Sequence, residues 1–321
     1  MEAFEPINHG YNHVFKPQRL SIGVVVPIEN YAHSPIPSMD HHMERVSQVE
    51  QLGFKALWLR DVPFHVPSFG DAGQTFDPFT YMGFLAARTS SIALGVASIA
   101  LPLRHPLHVI KSATTIDQLS NGRLLLGVAT GDRPLEYPTM NVDFESRGER
   151  FRESFAFIRK AQESFPTLET RHFGVLNGAA DILPKAKGRK IPLLMTGYSQ
   201  QTLAWNAENG DGWMSYPLHP LQQQQTISNW RNLVAQTAAY DKPFMQPLYV
   251  DLHENDDFKP QPIHLGLRIG VDYLIDYFHQ LQAVGVNHIA LNLRFNAQSI
   301  EKTLDTLATR VLPHFHKQTV S

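Results

Sequence analysis

The chain alternates between two kinds of segment. Short apolar or β-branched runs are each followed by a longer stretch with apolar residues at helical spacing. The runs are LSIGVVVP from Leu20, KALWLR from Lys55, IALGVAS from Ile92, RLLLGVAT from Arg123, IPLLMT from Ile191, GWMSYP from Gly212, FMQPLYVDL from Phe244 and NHIALNLR from Asn287. Several are apolar on consecutive residues, the pattern of strands buried on both faces of a parallel sheet. The stretches between them predict helices over Met39–Leu52, Phe79–Thr89, Pro106–Leu119, Arg147–Phe165, Ser199–Glu208, Leu221–Ala239, Val271–Ala283 and Gln298–His314. Gly53 suits a left-handed cap after the first helix, and Pro106 opens the third. Eight strands alternating with eight helices predict a (β/α)8 TIM barrel, with a doubly wound sheet as the alternative.

Residues 1–18, polar with scattered aromatics, read as an irregular N-terminal arm, and residues 19–321 as one barrel domain. Three connections are long: Asp61–Asp77, Thr167–Lys190 and Asp251–Gly270. Long loops in a compact barrel are usually functional or mobile. The first follows a strand and is expected as an insertion on the C-terminal face, where barrels build their sites. Either it or Thr167–Lys190 would serve as a lid.

Composition narrows the chemistry. The 321 residues include no cysteine, which excludes disulfides, thiolate nucleophiles and Cys-held zinc or iron–sulfur centres. A net charge of −2 argues for neither nucleic acid nor an anionic membrane as partner. The N-terminal stretch has no signal-peptide core, and runs such as LLLGVA from Leu124 fall far short of the ~20 residues of a membrane span. A cytoplasmic protein is expected. No GxGxxG follows a strand, and no phosphate loop, GxSxG elbow or HExxH occurs. The 16 histidines are dispersed, and no metal site is predicted.

The ends of the predicted strands carry polar groups. After the fifth strand the chain reads Thr196-Gly197-Tyr198-Ser199-Gln200-Gln201-Thr202. A glycine beside a serine at a helix start lets backbone N–H groups approach an anion, although an ordinary helix cap would account for the same residues. The fourth strand ends at Thr130-Gly131-Asp132-Arg133, another glycine-opened turn. The third ends at Ala97-Ser98, small residues that leave room for a flat ligand.

Five segments, EQLGFKALWLRD (Glu50–Asp61), DPFTYMGFLAARTSSIALGVASIALPLRHP (Asp77–Pro106), TIDQLSNGRLLLGVATGD (Thr115–Asp132), RGERFRES (Arg147–Ser154) and PLLMTGYSQQTLAWNAENGDGW (Pro192–Trp213), together resemble the luciferase-like flavin monooxygenase family, which includes bacterial luciferase and the alkanesulfonate monooxygenases. The resemblance covers most of Leu20–Trp213. It implies a barrel that binds reduced flavin, FMN or a deazaflavin, at its C-terminal face. It places Ala97-Ser98 at a cis peptide under the flavin ring, Gly197–Gln200 at the flavin-phosphate loop, and Thr130–Asp132 where the flavin phosphate or ring edge is contacted. Bacterial luciferase has an arginine at Thr130, for which Arg133 is the nearby replacement, and a reactive cysteine at Ala129. Its catalytic histidine falls near Val62 or Pro63, and His65 is the closest histidine here. Asp61 and Arg60 would otherwise pair with each other.

The activity implied is oxidation of a small organic substrate by dioxygen and reduced FMN, the FMN being reduced by a separate flavin reductase. A deazaflavin-dependent dehydrogenase and a flavin-binding protein without turnover are the alternatives. The resemblance also implies a homodimer formed through helices near the first strands. A barrel isomerase or aldolase would need a lysine at a strand end, and Lys55 opens its strand instead.

Overall fold

The computed structural model describes residues 3–316; residues 1–2 and 317–321, the outer ends of the predicted arm and barrel domain, lie outside the described residues. Eight parallel strands close on themselves: β1 (Ser21–Val25), β2 (Ala56–Leu59), β3 (Ala93–Ala100), β4 (Leu124–Ala129), β5 (Leu193–Thr196), β6 (Gly212–Met214), β7 (Phe244–Leu252) and β8 (His288–Asn292). Each pairs with the next, and β8 returns to β1 with Ser21 opposite His288 and Val24 opposite Leu291. The helices that follow the strands in turn are α1 (His42–Gln51), α2 (Pro78–Arg88), α3 (Pro106–Leu119), α4 (Arg147–Lys160), α5 (Leu203–Asn209), α6 (Pro220–Thr237), α7 (Val271–Ala283) and α8 (Ile300–Thr306), with shorter helical turns elsewhere. The fold is the predicted (β/α)8 barrel.

Two apolar cores follow from strand alternation. One lies between the barrel and its helices, with Leu57, Leu59, Leu94, Val96 and Ile289 in it. The other fills the barrel and takes the alternate positions Ala56, Trp58, Ala93, Leu125, Leu194, Met214, Met245 and Ala290. The interior holds Trp58 because its neighbours are glycines. A Cβ on Gly95 would lie 2.4 Å from the indole, and one on Gly127 would lie 2.4 Å from the Met214 methyl and 2.2 Å from the Val96 carbonyl oxygen.

The N-terminal stretch is not an irregular arm. His9–Val14 is a helix capped by Asn8, whose side chain accepts from the Tyr11 N–H at 2.9 Å. Ile7, Tyr11, Val14 and Phe15 close the base of the barrel, joining the interior core. Their spacing of four, three and one is that of one helical face. Tyr11 Oη donates to the Asp211 carbonyl at 2.7 Å.

A buried polar network sits at the same end. Trp58 Nε1 donates to His288 Nε2 at 2.8 Å, and His288 Nδ1 lies 2.6 Å from Ser21 Oγ, which donates to the Val14 carbonyl at 2.7 Å. The indole donor fixes Nε2 as an acceptor, so the imidazole is neutral with its proton on Nδ1. Burial drives its pKa down to about 3. His316 is held likewise, accepting from the Ile22 N–H at 3.0 Å, with its pKa lowered to about 4 by burial and then by Lys55. His13, lowered to about 4 for the same two reasons, is a third.

These folded-state values lie below the ordinary 6.5, so their contribution to stability is complete above pH ~6.5 and is lost as pH falls toward 3–4. His288 alone accounts for on the order of 5 kcal/mol across that window, at about 1.4 kcal/mol per pKa unit. Urea denaturation from pH 7.5 to 4 should show a steep loss of stability. His288→Gln should flatten that slope by close to one proton; an unchanged slope would contradict the neutral, buried imidazole.

Of the long connections, Asp61–Asp77 does lie over the barrel mouth. Asp71, Ala72 and Gln74 are buried there, and Gln74 pairs its side-chain amide with the main chain of Arg60. Thr167–Lys190, the other candidate lid, reaches the first turn of α4, where Arg171 pairs with Glu149 and Phe173 lies beside His105. It follows a helix, so it leaves from the opposite end of the barrel. Lys185 binds the Ala161 and Glu163 carbonyls at the end of α4, and the Arg189 N–H donates to the Ile7 carbonyl. Its strands, Thr167–Thr170 and Gly174–Asn177, form a separate antiparallel hairpin. Asp251–Gly270 forms a hairpin whose second strand, Gly266–Ile269, pairs in parallel with Tyr249–Leu252 of β7.

Candidate functional site

The ends of β4 and β5 and the first turn of α4 enclose an open pocket of about 590 Å³. It is lined by Thr130, Gly131 and Asp132, by Phe144 and Arg147, and by Tyr198, Ser199, Gln200 and Gln201. The structure thus brings together six residues that the sequence singles out from two separate strand ends.

The β5 loop has an uncommon backbone. Gly197, Ser199 and Gln200 all have positive φ, of 57°, 50° and 56°. Non-glycine residues rarely adopt this region, and such turns aim successive N–H groups into a concavity that suits an anion. Ser199 is therefore not the cap of a helix, as its sequence context suggests. α5 starts only at Leu203, capped by Thr202, whose hydroxyl accepts from the Trp205 N–H at 3.1 Å.

Side chains from three elements hold the loop in shape. Trp213 Nε1 donates to the Gly197 carbonyl at 2.8 Å, and Asn206 Nδ2 to the Tyr198 carbonyl at 3.2 Å. Gln201 accepts from Arg152 at 2.7 Å and donates to the Gly148 carbonyl at 2.9 Å. Gly148 favours this close approach, since a Cβ there would lie a tight 3.1 Å from Gln200 Cβ. Ser199 Oγ donates to the Thr196 carbonyl at 2.9 Å, while Thr196 Oγ1 is buried without a partner.

The cation of this pocket is Arg147, not Arg133. The Arg147 guanidinium sits 3.8 Å over the Phe144 ring and donates to the Phe144 carbonyl at 2.8 Å. Arg133 turns the other way, donating to the Phe64 and Asp71 carbonyls of the Asp61–Asp77 connection and lying over Phe69. In the sequence Arg147 stands only as part of the RGERFRES segment, with no role of its own. Its place at the first position of α4 was the available signal.

Other sequence candidates are scattered. The Ala97–Ser98 bond is cis, and both residues are half-buried where the β3–β4 register shifts. His65 is exposed on the connection and does not line the pocket. Arg60 and Asp61 do not pair with each other. Asp61 binds Arg104 at 2.7 and 3.1 Å, and Arg60 binds Asp71 at 2.6 Å. They sit on successive positions of an extended segment, so their side chains diverge.

Glu136, which no sequence motif marks, is buried beside Arg133, with Oε1 unpartnered. Burial pushes its carboxyl up to about 7; Arg133 opposes this and Asp61 adds to it. It is a group near the mouth that exchanges a proton close to neutrality.

Among the described residues, one cluster has metal-ligand types: Glu149, Glu153 and His172. Glu149 already pairs with Arg171, and Glu153 accepts the Arg171 and His172 N–H groups. None of the three lines the pocket. No helix among the described residues is long and apolar enough to cross a membrane.

Comparison with known proteins agrees with this architecture. The chain is 28% identical over 144 residues to 4-hydroxyprotoasukamycin monooxygenase of Streptomyces nodosus subsp. asukaensis, covering 44% of this chain and 38% of that protein. The match therefore spans well under half of that relative's length. Monooxygenase RslO1 of Streptomyces bottropensis superposes with a TM-score of 0.75 at 19% identity, covering 92% of this chain and 99% of that one. An F420-dependent secondary alcohol dehydrogenase superposes with the same score and coverage at 17% identity. At these identities the two structures show the fold alone. The family profile described as luciferase-like monooxygenase matches residues 20–257, most of the chain, and the chain belongs to that family.

Proposed function

We propose that the chain is a flavin-dependent monooxygenase whose pocket between β4, β5 and α4 holds the phosphate of reduced FMN. The observation that carries this reading is the joint presence in one pocket of Tyr198–Gln200, from a loop with positive φ at Gly197, Ser199 and Gln200, and of the Arg147 guanidinium. The residues fit the group. A phosphate needs several donors at once. Thr196 Oγ1 stands buried without a partner, and Gly197 has open space where a side chain would be. Thr130, Gly131 and Asp132 form the facing wall. The flavin ring would extend from there toward Ala97-Ser98.

Reduced FMN, supplied by a separate flavin reductase, provides the reducing equivalents for transfer of oxygen from dioxygen to a small organic substrate. The protein binds and orients, and the Asp61–Asp77 connection shields the mouth from water. Glu136 holds the exchangeable proton near the mouth, a role for which exposed His65 has no supporting contacts. A deazaflavin offers a phosphate to the same loop, so the experiment must separate the two.

With a reductase, FMN and isotopically labelled dioxygen, a panel of small carbonyl compounds and organic acids should yield labelled product by mass spectrometry. Unlabelled product, formed only with a reduced deazaflavin, would move the chain to the dehydrogenase reading.

A further inference from the structure

Across the mouth from the phosphate pocket, on the β1, β2 and β8 side, a buried carboxylate is clamped between two arginines. Arg60 follows β2 and, by strand alternation, lies above Trp58 inside the barrel. Arg294 follows β8. Asp71 reaches between them from the Asp61–Asp77 connection. Its Oδ2 is 2.6 Å from Arg60 Nη1 and 3.3 Å from Arg294 Nη1. Its Oδ1 accepts from Tyr31 Oη at 3.1 Å and from the Gly73 N–H at 2.9 Å. Among the described residues Asp71 is the acidic partner of both arginines, and neither has another. Two guanidinium groups therefore share one carboxylate.

Arg294 is not satisfied by this arrangement. It is only 9% exposed, its Nη2 donates to the Ser34 and Gly70 carbonyls at 3.1 and 2.9 Å, and its Nε is buried with no acceptor. A buried unpaired guanidinium N–H is uncommon in a folded protein and calls for an explanation. Gly70 belongs to the same connection as Asp71. A ligand that displaces this connection would free Arg294 Nη1 and one Nη2 N–H together, a pair able to take a carboxylate.

We propose that Arg60, Arg294 and Tyr31 form a carboxylate-binding subsite, occupied in this conformation by Asp71, and that the substrate is an organic acid whose carboxylate takes the place of Asp71. The inference rests on the monooxygenase reading for calling this ligand the substrate; the subsite stands on its own geometry. An incoming carboxylate reproduces the contacts to Arg60, Arg294 and Tyr31, and only the Gly73 N–H departs with the loop. The subsite and the phosphate pocket lie on opposite sides of the mouth with β3 on the arc between them. An acid anchored here extends toward Ala97-Ser98, where the flavin ring is placed. Because Asp71 is tethered, it competes at high effective concentration with any free acid.

The test is calorimetry with benzoate and with benzamide, its uncharged analogue. Asp71→Ala should bind benzoate at least tenfold more tightly than the unaltered protein, with benzamide unmoved. Asp71→Asn, which keeps the shape of the loop, should do the same if the alanine variant unfolds. Arg294→Gln added to either should abolish the gain. Benzoate affinity unchanged in a folded Asp71 variant, or benzamide following benzoate, would overturn the subsite. Reduced FMN is titrated into the same proteins. FMN binding with no benzoate response defeats the subsite and leaves the flavin reading intact. A benzoate response without FMN binding does the reverse.

Discussion

Trp58→Ala should destabilise the protein by about 4 kcal/mol, among the largest losses available to one substitution in this barrel. Trp58 fills the barrel interior with no exposed surface, and its removal leaves a cavity that rigid strands cannot close. It also deprives His288 Nε2 of its donor. An unmet buried acceptor adds about 1–3 kcal/mol. The packing argument makes a sharper claim through Gly95. In the unaltered protein, Gly95→Ala should destabilise, because its Cβ would meet the indole at 2.4 Å. In the Trp58→Ala background the same change should stabilise, since the methyl enters vacated space. Urea denaturation of the four proteins gives the coupling directly, and additive effects would contradict the account.

Arg147→Ala should weaken reduced FMN binding by roughly 10–100-fold, the scale of one charge-assisted hydrogen bond at about 1.5–3 kcal/mol. The loss should be confined to the phosphate. Riboflavin, which lacks it, should bind the variant and the unaltered protein alike. Arg147→Lys should recover part of the affinity, because a point charge remains but the planar fork does not. Arg133→Ala should leave the phosphate contribution nearly unchanged, since that side chain is spent on the Phe64 and Asp71 carbonyls. If Arg133→Ala abolished FMN binding and Arg147→Ala did not, the cation of the pocket would be misassigned.

The barrel was legible because its strands are buried on both faces. Runs such as LLLGVA in β4 show that directly, and the intervening helices α3 and α7 have the limits their patterns predict. The N-terminal helix was missed because six residues give less than two turns of periodicity, and its polar positions mask Ile7, Tyr11 and Val14. At the site, the strand-end residues Thr130–Asp132 and Tyr198–Gln200 were readable from glycine and serine punctuation. What they do was not. Glycine beside serine suits a helix cap as well as a left-handed turn, and positive φ at Ser199 and Gln200 depends on tethers from Asn206, Trp213 and Gln201. The choice between Arg133 and Arg147 turns on side-chain direction, which spacing does not encode. The clamp on Asp71 joins residues from three distant stretches, and no local pattern announces it.

The most direct test of the central claim is an anaerobic titration of the protein with reduced FMN and with reduced riboflavin, followed by absorbance and fluorescence. A phosphate pocket between β4, β5 and α4 predicts saturable binding of FMN, at least tenfold tighter than riboflavin, with the preference lost in Arg147→Ala. Equal binding of the two flavins, or of neither, would contradict it.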